Sequence, residues 1–386
     1  MDPFHYISYA QEVIFGPGSL ARLSEAVERS KFRRLMLCSS RSVRSSGLLA
    51  SIEAALGTRL VAIFDQVQPH VQDVQVTEIL TLALDKEVDA VIGIGGGSPI
   101  GMAKAVASAL EETRSGYPAR AAFPTDQPLI PVIAIPTTYA GSEMTPLYGI
   151  THTSETPPRK VTVNDPKIAP KLVIYDPELT LNLPPEMTAS TGINALAHCI
   201  EALYSKTRNP LSSAAAISGV RHITGALYRC YEHGNDLDAR TEMLLGAHLA
   251  GLSLASVTMG LHHGLCHVLG GSADVPHGIA NSIILPHAIR FNAEATAPQL
   301  LPAAEAMGIS VNGTSPMVVI ETMTQKIFDL IHQMNLPQRL RDAGVGLREA
   351  DLARLAQIGF QNRSVQNNPK PITDANQIET LLKEAW

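Results

Sequence analysis

As far as Asp176-Pro177, short and nearly continuous apolar runs alternate with amphipathic stretches. The runs Arg34–Ser39, Arg59–Phe64, Ala90–Ile94 and Pro131–Ile135 predict strands buried on both faces. Between them, Ser19–Glu28, Gly47–Leu56 and Val74–Lys86 carry apolar residues at helical spacing. This alternation predicts an α/β fold, a parallel sheet with helices on both sides. Beyond that point the strand signal fades. Ala/Leu-rich stretches take over at Ala189–Ser205, Leu211–Tyr231, Ala239–Ser256, Leu261–Leu269, Met317–Met334 and Ile378–Ala385, and they predict a helical region. The expected domains are therefore 1–177, α/β, and 178–386, all-helical. Thr151–Arg159 reads as a hairpin or loop at the edge of the first. Met243 to Leu261 is uncharged and nominally long enough to span a bilayer. Its polar His248, Ser253, Ser256 and Thr258 predict a buried core helix instead.

Composition narrows the class. The 386 residues are 45% hydrophobic and 17% charged, which suits a folded globular chain. A net charge of −6 offers no general attraction to phosphate backbones, so no nucleic-acid partner is expected. Cys38, Cys199, Cys230 and Cys266 form no C-x-x-C pair, which fits reduced thiols in the cytoplasm. The opening MDPFHYISYAQEVIFG lacks the basic and apolar regions of a secretory signal, and no membrane association is expected.

Three groups of residues can carry chemistry. In the run Val91–Ala105 a strand ends in Gly95, Gly96 and Gly97, and Ser98 is expected to cap the following helix. Glycines let a phosphate approach the backbone, and the helix start offers free N–H groups. The spacing is not G-x-G-x-x-G, so the usual dinucleotide fingerprint does not transfer. In Pro136–Glu143, Thr137, Thr138 and Ser142 follow a strand, where open α/β sheets meet ligands. The helical region adds histidines. Asn194 and His198 share a helix face at i, i+4, and so do His263 and His267. His277 follows ten residues later. Four histidines at such spacings in one apolar region point to a functional cluster, while His222, His248, His262 and His287 read as structural. No G-x-S-x-G elbow, P-loop or H-E-x-x-H is present, which weighs against serine hydrolases, P-loop NTPases and zincins.

Taken in order, VIFGPGSL, the GGGS of Gly95–Ser98, TTYAGSE, the Asn194/His198 helix and HGLCHVLGG…PHGIAN…LPH resemble the iron-containing alcohol dehydrogenase family. That family shares its architecture with dehydroquinate synthase, and the resemblance covers essentially the whole chain. It implies a dinucleotide-binding α/β domain followed by a helical catalytic domain, an active site in the cleft between them, and a homodimer. In metal-dependent members one aspartate and three histidines bind the ion. By motif those positions are Asn194, His198, His263 and His277, so asparagine stands where the aspartate would be. A neutral amide oxygen is a poor exchange for a carboxylate, and the expected enzyme uses no metal.

The same departure, with the YAGSE sequence, resembles the family members that reduce the carbon–carbon double bond of maleylacetate to 3-oxoadipate in aromatic-compound degradation. The implied substrate is a small dicarboxylate, maleylacetate or a substituted one. Removing a negative charge about 4 Å from a dianion relieves about 4 kcal/mol at an effective dielectric of roughly 20. His198, His263 and His277 are expected to hold the substrate's carboxylate or enone oxygen. His263 and His267 are both candidate proton donors. Tyr139 is a candidate substrate contact, and Lys160 falls where the family places a lysine near the nucleotide. At the second strand end, Ser39, Ser40 and the basic Arg41 replace the acidic residue that selects NADH, so both NADH and NADPH are expected to serve. The competing readings are a metal-dependent alcohol dehydrogenase using Asn194 as a ligand, a silent nucleotide-binding protein, and a dehydroquinate-synthase-like lyase.

Overall fold

A computed structural model describes residues 3–116, 121, 123, 126–153 and 159–386, without the side chains of Arg159 and Lys160. The chain forms two compact units. One is Ile7–Asn182; the other joins the first six residues to Leu183–Trp386.

In the first unit the strands are β1 (Glu12–Phe15), β2 (Leu35–Ser39), β3 (Leu60–Phe64), β4 (Val71–Gln72), β5 (Ala90–Gly95), β6 (Val132–Pro136), β7 (Leu147–His152), β8 (Arg159–Asn164) and β9 (Leu172–Tyr175). Its helices are α1 (Leu23–Arg29), α2 (Arg41–Ser45), α3 (Leu48–Leu56), α4 (Asp73–Asp85) and α5 (Gly97–Ser115). Six strands make one parallel sheet in the order β1-β9-β6-β5-β2-β3. The central strands are apolar throughout because each of their faces has its own core. Leu35, Leu37, Ile92 and Ile94 pack toward Leu23, Leu49 and Ile52. Met36, Cys38 and Val91 pack with Ile79, Met102 and Val106. Period-two alternation of side chains turns one apolar run into two cores.

Of the stretch expected to be a hairpin or loop, Thr151–Arg159, the two ends belong to strands: β7 and β8 pair antiparallel from Leu147↔Asn164 to His152↔Arg159, and β4 adds to β7 in parallel. Residues 154–158, between β7 and β8 in the chain, lie outside the described residues. Strands β1 and β9 are additions to the predicted set. Both are only four residues long; β1 is mostly exposed, whereas β9, LVIY, is buried throughout.

One local expectation fails. Ser98 does not cap α5; Gly96 holds that position in an extended conformation, and Ser98 sits inside the first turn. The helix starts earlier because Gly95, at φ +131°, turns the chain before Ser98 is reached. The helix then lies so close to β5 that a Cβ on Gly93 would stand 2.8 Å from the Ile100 Cα.

The second unit holds α6 (Pro185–Tyr204), α7 (Pro210–Glu232), α8 (Leu237–Ala255), α9 (Leu261–Ala273), α10 (His277–Ala306), α11 (Pro316–Gln333), α12 (Leu352–Gln361), α13 (Arg363–Gln366) and α14 (Ala375–Glu384). No strand occurs in it among the described residues. Helix α6 is buried almost all round, and α7, α8 and α10 pack on it. The uncharged stretch Met243–Leu261 is not one element: α8 ends at Ala255 and α9 begins at Leu261. Among the described residues no helix is long and apolar enough to cross a membrane. Helix α10 was masked in the sequence by Pro286, Pro298 and Pro302, each of which removes one N–H donor from its interior.

Candidate active site

The α/β unit gathers the residues expected at a nucleotide. Gly95 closes β5, Gly96 and Gly97 open α5, and Gly96, Gly97 and Ser98 remain half-open to solvent. Ser98 Oγ accepts the backbone N–H of His70 at 3.2 Å, a neighbour the motifs did not reveal. The second strand end lies alongside, since Thr137 N–H donates to the Gly95 carbonyl at 3.0 Å. A Cβ on Gly96 would touch Thr138 Cγ2 at 3.4 Å. Thr137 is half-buried, Thr138 buried, and Tyr139 has no exposed surface. Ser142 starts a short turn after Gly141, whose φ is +78°. Lys160 pairs with Thr151 through its backbone, and its side chain lies outside the described residues.

Ser39 is fully buried at the end of β2, Ser40 shares a hydroxyl contact with Ser42 at 2.8 Å, and Arg41 is exposed. A surface depression here is lined by Arg41, Arg44, Ser45, Asp65 and Gln66. Arg41 donates to Gln66 Oε1 at 3.0 Å, and Arg44 pairs with Asp65.

Sequence reasoning missed a buried charge behind these loops. Lys104, the eighth residue of α5, is completely enclosed. Its Nζ donates to the carbonyls of Ser142 (2.5 Å), Thr145 (2.8 Å) and Leu147 (2.9 Å) and to Thr145 Oγ1 (3.3 Å). Burial pulls this ammonium down to about 7, and the neighbouring Glu143 charge opposes the shift. Glu143, also buried, accepts the Tyr175 hydroxyl at 2.8 Å, and burial raises its pKa. One ammonium thus ties the turn after β6 to α5.

The helical unit gathers the histidines. Helix α6 supplies Asn194 and His198, both buried; α9 supplies His263, buried, and His267, exposed; α10 begins with His277, half-buried. The rings of His198 and His263 stack with centroids 4.5 Å apart, His263 and His277 lie at 6.3 Å, and His267 and His277 stack at 5.7 Å. The cluster therefore forms from residues far apart in sequence. Burial, then the neighbouring rings, hold His198 well below its ordinary pKa. Burial also lowers His263, against the pull of Glu201. The Nδ1 of His198 and the Nε2 of His263 are buried with no hydrogen-bond partner among the described residues.

Two members of the cluster went unread in the sequence. Glu201 lies one turn beyond His198 on α6 and is fully buried. Its Oε1 accepts the N–H groups of Gly260 (2.8 Å) and His262 (3.2 Å); its Oε2 accepts the His263 N–H (3.2 Å) and lies 2.5 Å from His263 Nδ1. The carboxylate sits on the N-terminus of α9, where backbone N–H groups favour an anion. Burial works to raise its pKa, but the hydrogen bonds from His262 and His263 hold it far below the usual carboxylate range. His262 is also in the cluster rather than apart from it: its Nδ1 is 3.1 Å from His263 Nδ1 and its Nε2 is 3.2 Å from the Asn281 carbonyl. The signal for Glu201 was a carboxylate at i+3 from His198 within an otherwise apolar helix.

Could these residues hold the family's metal? Among the described residues, one trio of His, Cys, Asp or Glu brings its ligand atoms within 4.8 Å of one another: Glu201, His262 and His263. These atoms are already engaged with each other and with α9. The positions matching the family's ligands, His198, His263 and His277, do not converge in that way, and Asn194 adds an amide in place of a charge. This donor set does not fit a divalent ion well.

Comparison with known proteins agrees with the architecture. Residues 10–177 match the model of the iron-containing alcohol dehydrogenases, and residues 188–386 match the C-terminal model of the Fe-containing alcohol dehydrogenase family. The maleylacetate reductase of Burkholderia cepacia is 34% identical over 386 residues, covering 100% of this chain and 98% of that relative. The maleylacetate reductase of Pseudomonas knackmussii is 35% identical, covering 97% and 95%. The crystal structure of maleylacetate reductase from Rhizobium sp. strain MTP-10005 superposes with a TM-score of 0.84 at 33% identity, covering 100% of this chain and 99% of that one. With both halves matched and the full length shared, the chain is an oxidoreductase that belongs to the iron-containing alcohol dehydrogenase family.

Proposed function

We propose that the chain reduces the carbon–carbon double bond of maleylacetate, or of a substituted maleylacetate, to a 3-oxoadipate, using NADH or NADPH and no metal. The observation that carries this reading is the donor set of the histidine cluster, in which Asn194 replaces the carboxylate a divalent ion would call for. Full-length similarity to enzymes named maleylacetate reductase supports the substrate class. Such enzymes act late in aromatic-compound degradation, and the same place is proposed here, in the cytoplasm and as a homodimer.

The α/β unit holds the nucleotide in this reading. Gly95, Gly96, Gly97 and Ser98 take the pyrophosphate, with Thr137, Thr138 and Ser142 beside them and Lys160 as a further contact. Ser40 and Arg41 face the adenosine ribose with the buried Ser39 behind them, and the guanidinium of Arg41 donates hydrogen bonds to a 2′-phosphate where an acidic residue would repel it. The helical unit holds the substrate among His198, His263 and His277, with Asn194 adding no negative charge. Tyr139, being enclosed, shapes the loop rather than touching substrate.

The reaction balances without a Lewis acid. A reduced nicotinamide held by the α/β unit would supply a hydride to the alkene carbon β to the ketone, and the alkene electron pair would move onto the ketone oxygen. The resulting enolate returns that pair to the α carbon, which takes a proton. Imidazole groups can stabilise the enolate, and histidine is a suitable acid near neutral pH. Of the four histidines, His267 is the exposed one, so it can be reprotonated from solvent after each turnover.

A second reading is a metal-dependent alcohol dehydrogenase, favoured by the two unpartnered ring nitrogens of His198 and His263. One assay separates them: nucleotide oxidation with maleylacetate by protein dialysed against chelator. Rapid turnover that Fe²⁺ or Zn²⁺ does not raise is expected. No turnover without metal, together with alcohol oxidation when metal is added, would establish the second reading.

A further inference from the structure

We infer that Glu201 is a positioning residue that fixes the proton of His263 on Nδ1, so that His263 meets its ligand through an unprotonated Nε2. This deepens the proposed function, because it divides roles among the histidines assigned to the substrate.

The hydrogen-bond partners of two adjacent rings decide where each carries its proton. Glu201 offers acceptors only, and three of its contacts are backbone N–H donors from the first turn of α9. Its fourth, His263 Nδ1 at 2.5 Å, must therefore carry the hydrogen. A second contact fixes the neighbouring ring independently. The Nε2 of His262 faces the Asn281 carbonyl, also an acceptor, so the His262 hydrogen belongs on Nε2. That leaves His262 Nδ1 as a lone pair facing His263 Nδ1 at 3.1 Å, a distance at which two N–H groups would clash and one N–H with one lone pair agrees. All four ring nitrogens are thus assigned; Cys266 Sγ, 3.7 Å from His262 Nε2, is a second neighbour of that protonated nitrogen, and Glu201 Oε2 stands 3.8 Å from His262 Nδ1, beyond hydrogen-bond distance. The one left for a ligand is His263 Nε2, which is the buried ring nitrogen of that residue without a partner among the described residues.

The carboxylate itself cannot turn away. Its helix, α6, is packed on most sides, and its oxygens hold the end of α9 as well as the imidazole. Positioning of a ring and capping of a helix are therefore one function of the same side chain. A bare Nε2 accepts hydrogen bonds and repels oxyanions. The substrate's carboxylate and enone oxygens accordingly fall to His198 and His277, and the proton to His267 rather than to His263. Sequence alone left His263 and His267 level; Glu201 is what separates them.

The test needs neither substrate nor nucleotide. Protein labelled with ¹⁵N-histidine gives ring spectra in which protonated and unprotonated nitrogens are far apart, and the His262 and His263 signals are identified by their loss in H262N and H263N. The expected result near neutral pH is Nδ1–H with bare Nε2 for His263, and Nε2–H with bare Nδ1 for His262. A His263 signal with Nε2–H overturns the inference, whatever the substrate proves to be. Glu201→Gln then removes the charge while keeping the size. In folded variant protein we expect the Nδ1–H preference to be lost and kcat to fall about 10- to 100-fold, with the nucleotide KM within about threefold. An E201Q enzyme that keeps both the Nδ1–H form and full kcat also overturns it. Should maleylacetate fail as substrate, the ring spectra still decide the role of Glu201.

Discussion

Each unit of this molecule encloses a carboxylate, and the two are used in opposite ways. In the α/β unit Glu143 lies beside Lys104, and the ammonium spends its hydrogen bonds on backbone carbonyls of a turn. In the helical unit Glu201 spends its lone pairs on backbone N–H groups and on an imidazole. The first arrangement shapes backbone, which is what a nucleotide's phosphates are recognised by. The second orients a side chain that can exchange protons. Under the proposed function, buried charge serves binding in one region and chemistry in the other, and substitutions should divide accordingly between nucleotide KM and kcat.

The largest effect is expected at the exposed end of the histidine cluster. His267→Ala should lower kcat/KM for maleylacetate by about 100-fold or more, the scale of a lost general acid. Steady-state rates that stay within about threefold would take His267 out of the chemistry. Lys104→Met comes next, and it probes the other region. Three carbonyls lose a charged donor and the Ser142–Leu147 turn loosens, so the nucleotide KM should rise about tenfold while kcat holds. A fall in kcat with KM unchanged would erase the contrast drawn above.

An effect of similar size, confined to one of the two nucleotides, sharpens the nucleotide side. Arg41→Ala should weaken NADPH use about tenfold and leave NADH within about twofold, because only the 2′-phosphate needs the guanidinium. Equal losses for both nucleotides would place Arg41 elsewhere.

The smallest effect is thermodynamic and belongs to the helical unit. Burial holds His248 and His287 down to about 4 against an ordinary value of 6.5. Between those values the unfolded chain binds more protons than the folded one. Their contribution to stability is complete above about pH 6.5 and is lost as the pH falls toward 4. Thermal midpoints should drop by a few degrees from pH 7 to pH 5, and by less in the H248N/H287N double variant.

Much of this was legible before the structure. Four strands and three helices of the α/β unit were readable because apolar runs with two buried faces, or one helical stripe, have distinctive periods. The histidine cluster was readable from i, i+4 spacings on apolar helices. What escaped had physical reasons. Helix α10 carries three prolines that read as breaks, yet the helix continues through all of them. Ser98 looked like a cap because serine usually caps, but Gly95 turned the chain first. Lys104 and Glu201 looked like ordinary charged residues, since nothing local tells a charge whether the fold will bury it.

The sequence by itself determined the parallel sheet, the helical second half, the glycine turn and the family, because these follow from periodicity, backbone freedom and motif order. Only the tertiary structure decided which atoms the buried charges meet. Glu201 finds α9 from α6 across 59 residues of chain to Gly260, and Lys104 finds the Leu147 carbonyl across 43. Proton positions on His262 and His263 follow from such contacts. They depend on distances of a few ångström between elements remote in sequence, and no local pattern of residues encodes them.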